Sequence, residues 1–383
     1  MPRTTPAIVT VYKQSIHAAV FAAVALMLCG LFAPTARAGS EVTILKSSTD
    51  HSPFPRPAAL EPNINFWVEA FTYWSERDFV IHDRDNISLI YQKFHMPGEG
   101  PPTGEEVEWA NAYLKAKYGD VLNRLATGQQ PIGWEEQHVA AMFKGQPPSA
   151  YARAAQNLRV QEGLSEQFRD SLLRSRYYRP RMEQVFVRAG LPPELVALAS
   201  VESGFSARAR SSAGALGIWQ FTRSTGREFL KITRYRDDRL DPVRSTQAAA
   251  ELLQSNYQAL GTWPLAITAY NYGTGGMERA AAEFDSDYMK IVRNYNGAHF
   301  GFAVKNYYAE FLAADQVHRY EDKYFPGIET EEVPPPPTSS PILHLRRIVH
   351  RFRAHHHHAH VRQVSDSHRR TAAAPAGRGR SES

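Results

Sequence analysis

Cysteine is almost absent: Cys29 is the only one in 383 residues. It lies inside an apolar run at 16–33, so removal of that run leaves no disulfide and no thiol chemistry. Sustained period-two alternation is also missing, which makes helix the expected dominant element. No segment recurs at a fixed period, so a solenoid is excluded. Excess charge is missing from the body as well. Residues from 341 onward hold nine arginines against Asp366 and Glu382, a local charge of +7 in a chain of net +5, so the remainder carries −2. Basicity belongs to the tail, and a nucleic-acid-binding body is not expected.

The two ends read as processing and linker segments. Arg3 and Lys13 precede the apolar run, and Ala36-Arg37-Ala38 supplies a small-x-small site, the layout of a secretory signal peptide over 1–38. An uncleaved anchor facing the periplasm is the alternative, since the run approaches the length of a membrane span. Lipidation at Cys29 is disfavoured by Leu28 just before it. At the other end a proline run at 334–337 reads as a stiff linker. The arginines and His355-His356-His357-His358-Ala359-His360 then have too little apolar surface to order. The histidines can hold a transition metal loosely, and the arginines suit peripheral contact with anionic wall polymer or membrane, but a solvated extension is the plain reading.

Between these ends the pattern is helical. Trp67, Ala70, Phe71 and Trp74 share one helix face. Thr103 and Glu106 form a capping-box pattern ahead of a stripe of Val107, Ala110, Leu114 and Tyr118. Further helices are expected near 149–175 and 179–189, and short helices with glycine-rich loops from 191 to about 315.

Chemistry concentrates in that last stretch. Pro192 and Pro193 suit a helix start and Gly204 its end; Leu195, Leu198, Ala199 and Glu202 then fall on one face. A carboxyl on the apolar face of a last turn is poorly solvated and close to the negative end of the helix dipole. Both effects favour its neutral form, as a general acid requires. A solvent-facing glutamate at a frayed end is the bland alternative. Ser211-Ser-Ala-Gly214-Ala-Leu-Gly217-Ile218-Trp219-Gln220 and Thr262-Trp-Pro264 through Ala269-Tyr270-Asn271-Tyr272-Gly273 each bring amide and aromatic groups to a helix end. Such groups bond sugar hydroxyls and pack on pyranose faces, although each segment alone also reads as helix packing.

Taken together and in this order, Glu202-Ser203, Gly217-Ile218-Trp219-Gln220, Ala269-Tyr270-Asn271 and a later Tyr307 resemble the catalytic domain of lytic transglycosylases in the lysozyme-like superfamily. The subtype it is most similar to is the membrane-bound D group, and 54–86 is similar to the helical region ahead of the domain in that group. With the signal peptide at 1–38 and the linker and disordered tail at 319–383 read from their own residues, the resemblance implies a mainly α fold in which a helical N-terminal region at 39–178 precedes a lysozyme-like catalytic domain at 179–318. It implies an enzyme cleaving the β-1,4 bond between N-acetylmuramic acid and N-acetylglucosamine in periplasmic peptidoglycan, leaving 1,6-anhydro ends. Glu202 would be acid then base, and Ser203, Gln220, Tyr270, Asn271 and Tyr307 would bind substrate, with no cofactor or metal. The departures are Ile218 and Trp219, expected to reshape a sugar subsite, Tyr308 as a rival for Tyr307, and the absence of LysM repeats.

Two other functions stay open: a muramidase-type hydrolase of the same fold, and a non-catalytic wall-binding protein. Asp237, Asp238 and Asp241 are conceivable second carboxylates for the hydrolase, but Asp241-Pro242 reads as a helix cap. His82-Asp83-Arg84-Asp85-Asn86 lacks the glycine and distal glutamate of a calcium loop.

Overall fold

The computed structural model describes residues 52–333. The expected signal peptide, Cys29, and the proline-, arginine- and histidine-rich tail lie outside the described residues.

A leading segment with a single 3₁₀ turn at Ala58–Leu60 runs into α1 (Glu61–Thr72), started by Pro62. Its expected stripe is buried, and so are Ile64, Phe66 and Val68, because α1 lies in the middle of the body rather than on its surface. Next come β1 (Asp78–Asp83) and β2 (Ile90–His95), then α2 (Gly104–Ala126). The Thr103–Glu106 capping box is present at the start of α2, and Val107, Ala110, Leu114 and Tyr118 all face inward. Two short helices follow, α3 (Gly133–Met142) and α4 (Pro148–Gln156), before β3 (Leu158–Glu162) and the long α5 (Ser165–Arg188).

The strands form one antiparallel sheet in the order β2-β1-β3. Nothing in the residue pattern marks it. Five of the six residues of β1 are buried, so the strand lacks the alternation that marks a half-exposed sheet. The helix expected near 149–175 is accordingly divided into α4, β3 and the first half of α5. Gly163 makes the turn between the last two. A Cβ there would collide with the carbonyl oxygens of Trp74 and Ser75, so no larger residue fits. The turn after β1 is closed by Asp83, whose Oδ1 accepts from the amides of Asp85 and Asn86, each at 2.8 Å. That use of Asp83 is structural, in keeping with the rejected calcium loop.

The catalytic-type region is built from shorter pieces: α6 (Leu198–Ser203), α7 (Arg223–Phe229), α8 (Pro242–Leu260), α9 (Trp263–Tyr272), α10 (Thr274–Glu283), α11 (Tyr288–Asn294) and α12 (Phe302–Arg319). The described body is thus mainly helical, as expected. Its parts are not laid end to end, however. α5 runs unbroken through the boundary expected at 178/179, and α1 packs along α12. Asn63 Nδ2 donates to Asn306 Oδ1 at 2.8 Å, Arg56 Nη1 to Gln316 Oε1 at 2.7 Å, and Tyr308 Oη to the Pro55 carbonyl at 2.7 Å. The residues after 318, expected to begin a linker, also stay folded as far as they are described. α13 (Glu321–Tyr324) leads to Ile328, which is buried, while Arg176 on α5 holds Glu321 at 3.0 Å and the Ile328 carbonyl at 2.7 Å.

Trp67 is fully buried at the centre of this packing. Trp67→Ala should cost about 3–5 kcal/mol, the usual range for an emptied indole site. Urea unfolding followed by fluorescence would show a lower midpoint with an unchanged slope; an unchanged midpoint would show that α1 is not integral to the body.

Candidate active site

The segment holding Glu202 begins as a 3₁₀ turn, Pro193–Ala197, and widens into the six-residue α6. Gly204 stops it in the left-handed conformation (φ 58°), as its sequence position predicts. Phe205 continues in the same region (φ 56°), so the chain leaves the helix abruptly just after Glu202 and Ser203. α6 is fastened to α5 by two polar contacts. Arg174 Nε donates to the Gly204 carbonyl at 2.7 Å, and Ser171 Oγ to Ser200 Oγ at 3.0 Å. Ser200 Oγ also pairs at 2.7 Å with Nε2 of His318, whose burial lowers its pKa to about 3 and keeps the ring neutral.

Glu202 is 5% exposed. Tyr307 Oη donates to its Oε1 at 2.6 Å, a length typical of a bond to a carboxylate. The phase of α12 separates the two candidate tyrosines: Tyr307 meets Glu202, whereas Tyr308 faces the leading segment through Pro55.

The other expected site residues divide into two groups. Ser203 is buried and donates to the Ile218 carbonyl at 2.8 Å, tying α6 to the 217–220 turn. Gln220 is buried in a left-handed conformation (φ 48°), its Nε2 donating to the carbonyls of Gly217 at 2.8 Å and Ala209 at 3.2 Å. Tyr270 Oη donates to the Trp219 carbonyl at 2.9 Å, so α9 is tied to the same turn. These three residues build the wall beside Glu202. Asn271 differs: its Oδ1 is buried without a hydrogen-bond partner, an acceptor able to take a ligand N–H or O–H.

Ile218 and Trp219, expected to reshape a sugar subsite, are enclosed in the packing behind the 217–220 turn. Both are buried, and the indole packs between Phe186 and Tyr270 while donating to Thr246 Oγ1 at 2.9 Å. A large aromatic with one donor needs an internal partner, and α8 supplies it. Gly217 lets the turn pass under Arg239, because a Cβ would strike the Arg239 carbonyl oxygen. Nor do the three aspartates stand free. Asp237 is held by Arg239 at 2.6 Å and Asp238 by Arg236 at 2.6 Å, and these hydrogen-bonded guanidiniums keep both carboxyls below their usual range. Asp241 caps α8 by accepting from the amides of Val243 and Arg244.

One acidic residue escaped the sequence reading. Glu310 lies one turn beyond Tyr307 on α12, is 2% exposed, and has a buried Oε1 without a partner. It lines a small internal cavity with Val201, Ser200 and Gly204 of the Glu202 segment. Burial raises its pKa to about 8; the Glu202 charge adds to the rise and Arg159 opposes it. The available signal was a single glutamate three residues past the site tyrosine in an otherwise apolar run.

With this geometry in view, residues 187–291 match the family described as Transglycosylase SLT domain. A stretch of 95 residues, 24% of the chain, is 46% identical to the Membrane-bound lytic murein transglycosylase D of Escherichia coli (strain K12) and spans 21% of that protein. A tributyltin chloride resistance protein of Alteromonas sp. (strain M-1) is 36% identical over 95 residues, 46% of its length. The chain therefore spans less than half the length of either relative. Among solved structures, the 70 kDa soluble lytic transglycosylase from Escherichia coli aligns with 57% of this chain and 34% of its own, at 19% identity and a TM-score of 0.33.

Glu310 also has a thermodynamic consequence. Its native pKa of about 8 lies above the 4.5 usual for a glutamate, so the folded state keeps a proton that the unfolded chain releases. The contribution is full below about pH 4.5 and is lost as pH rises towards 8. Glu310→Gln should therefore gain stability relative to the parent between pH 5 and pH 8, read as the difference in Tm. Parallel Tm–pH curves would show that Glu310 is ionised in the folded protein.

Proposed function

We propose that this chain is a peptidoglycan lytic transglycosylase in which Glu202 serves as general acid and then as base. The observation that carries the reading is the buried Glu202 carboxyl oriented by Tyr307 at 2.6 Å, within the segment similar to the transglycosylase domain. In the first step Glu202 gives its proton to the oxygen bridging N-acetylmuramic acid to N-acetylglucosamine, and the bond from that oxygen to C1 breaks. The N-acetyl group of the muramic residue stabilises the positive charge at C1, so no second carboxylate is needed. Glu202, now ionised and still receiving the Tyr307 hydroxyl, takes the proton of the C6 hydroxyl. O6 closes onto C1, a 1,6-anhydro end forms, and Glu202 is ready again without water having been consumed.

Each neighbour has a part consistent with this cycle. Tyr307 fixes the carboxyl plane in both protonation states. Ser203, Gln220 and Tyr270 act on substrate through the turn they hold, and Asn271 Oδ1 offers a buried acceptor for a sugar N–H or hydroxyl. Against the hydrolase reading, Asp237, Asp238 and Asp241 are engaged by arginines or a helix terminus, and Glu310 is enclosed behind Glu202. An exported, periplasmic enzyme agrees with its wall substrate and with the membrane-bound name of the Escherichia coli relative. No described helix is long and apolar enough to cross a membrane.

Replacing Glu202 by Gln retains shape and removes the transferable proton. Turnover of purified peptidoglycan should fall about 10²–10⁴-fold, the usual worth of a general acid–base group, with an unchanged circular dichroism spectrum. A loss below about tenfold would remove Glu202 from the role.

A further inference from the structure

A concave surface opens at the start of α12. Its walls are the start of α1, the turn between β1 and β2, and the connection from α11 to α12, and they enclose about 590 Å³, a volume ordinary for a ligand site. The surface is polar and its charge is one-sided. Arg84, Arg293 and Lys305 line it against Asp85 alone. Arg84 is held in place by the side chain of Asn157 at 2.7 Å and by Asp85 at 3.5 Å. Arg293 and Lys305 form no ion pair or hydrogen bond with a described residue. Asn86 and Asn296 add amide groups at the rim.

This cleft is joined to the candidate active site through shared elements. Lys305 and Asn306 directly precede Tyr307 on α12, and both line the cleft. Tyr272, two residues after Tyr270, donates to the Ala298 carbonyl at 2.9 Å and packs edge-on against Phe300 at 5.0 Å. Phe300 lines the cleft in turn. A ligand held here therefore contacts the segments that carry Tyr307 and brace α9.

We propose that this cleft binds an acidic peptide: the carboxylate-bearing stem that wall glycan carries on the lactyl group of its muramic acid. Arg293 and Lys305 take the carboxylates, and the asparagine amides take the peptide groups. The choice of occupant rests on the peptidoglycan reading of the Glu202 site. The cleft itself rests on its own charge and shape. Unpaired cations in a concave, amide-rimmed surface suit a short peptide with several carboxylates better than a flat anionic sheet.

The double variant Arg293→Ala/Lys305→Ala of the full chain tests this. On peptide-bearing glycan KM should rise about tenfold, the loss expected for a charge-assisted contact. On the same glycan stripped of peptide by an amidase, kcat/KM should stay within about twofold of the parent. Arg293→Lys with Lys305→Arg should restore most of the KM. An equal loss on both substrates, or no loss on either, overturns the assignment. If the parent chain releases product from neither substrate, the reading of Glu202 fails by itself. The cleft is then judged by calorimetric titration of the full chain with an acidic wall-type tetrapeptide. Saturable binding that weakens in the double variant upholds it, and no binding overturns it.

Discussion

The hydrogen bond from Tyr307 to Glu202 joins two elements far apart in sequence, and much of the folded body serves to hold its two ends. One end sits on α6, which has only six residues and would be marginal as an isolated helix. It is kept in place by Arg174 and Ser171 from α5, by His318 from α12, and by the turn that Ser203 reaches through the Ile218 carbonyl. The other end sits on α12, whose position is set by α1 and by the leading segment through Asn63, Arg56 and Pro55. The region before α5 is therefore not an appendage. Removing α1 would leave α12 without the surface that sets its rotation, and that rotation decides which of two adjacent tyrosines faces the carboxyl.

Burial supplies the second constraint. A carboxyl withdrawn from water is disfavoured as an anion, while a donated hydroxyl favours it. Glu202 is buried and receives the Tyr307 hydroxyl. Glu310, one turn along α12, has burial without a donor and keeps its proton to about pH 8. Glu310 is thus largely protonated at neutral pH. Asp237 and Asp238 are neutralised by arginines instead, so acidity in this region is sorted by environment rather than by residue type.

Local features of the chain were readable in advance because their physics is local. The Thr103–Glu106 box, the stripe of α2, the Gly204 stop and the Asp241 cap each depend on residues within a turn or two. β1 and β3 were not, since β1 is buried on both faces and β3 becomes a strand only by pairing with it. The candidate site shows the same division. Glu202 on an apolar helix face was legible from spacing, and the choice of Tyr307 over Tyr308 needed the rotation of α12. Gln220, Ser203 and Trp219 were legible as a pattern, yet their side chains turn inward, because the hydrogen-bond partners that hold them are carbonyls and a threonine from other segments. Glu310 left only a weak trace, for an isolated glutamate in an apolar run has no partner in the sequence to mark it.

The central claim is that C1 is captured by the sugar's own O6 and not by water. The most direct measurement is mass spectrometry of peptidoglycan digested by the parent protein in H₂¹⁸O. The account predicts 1,6-anhydromuramic ends carrying no ¹⁸O. Reducing muramic ends that have taken up the label from the solvent during cleavage would contradict it and make Glu202 the acid of a hydrolase.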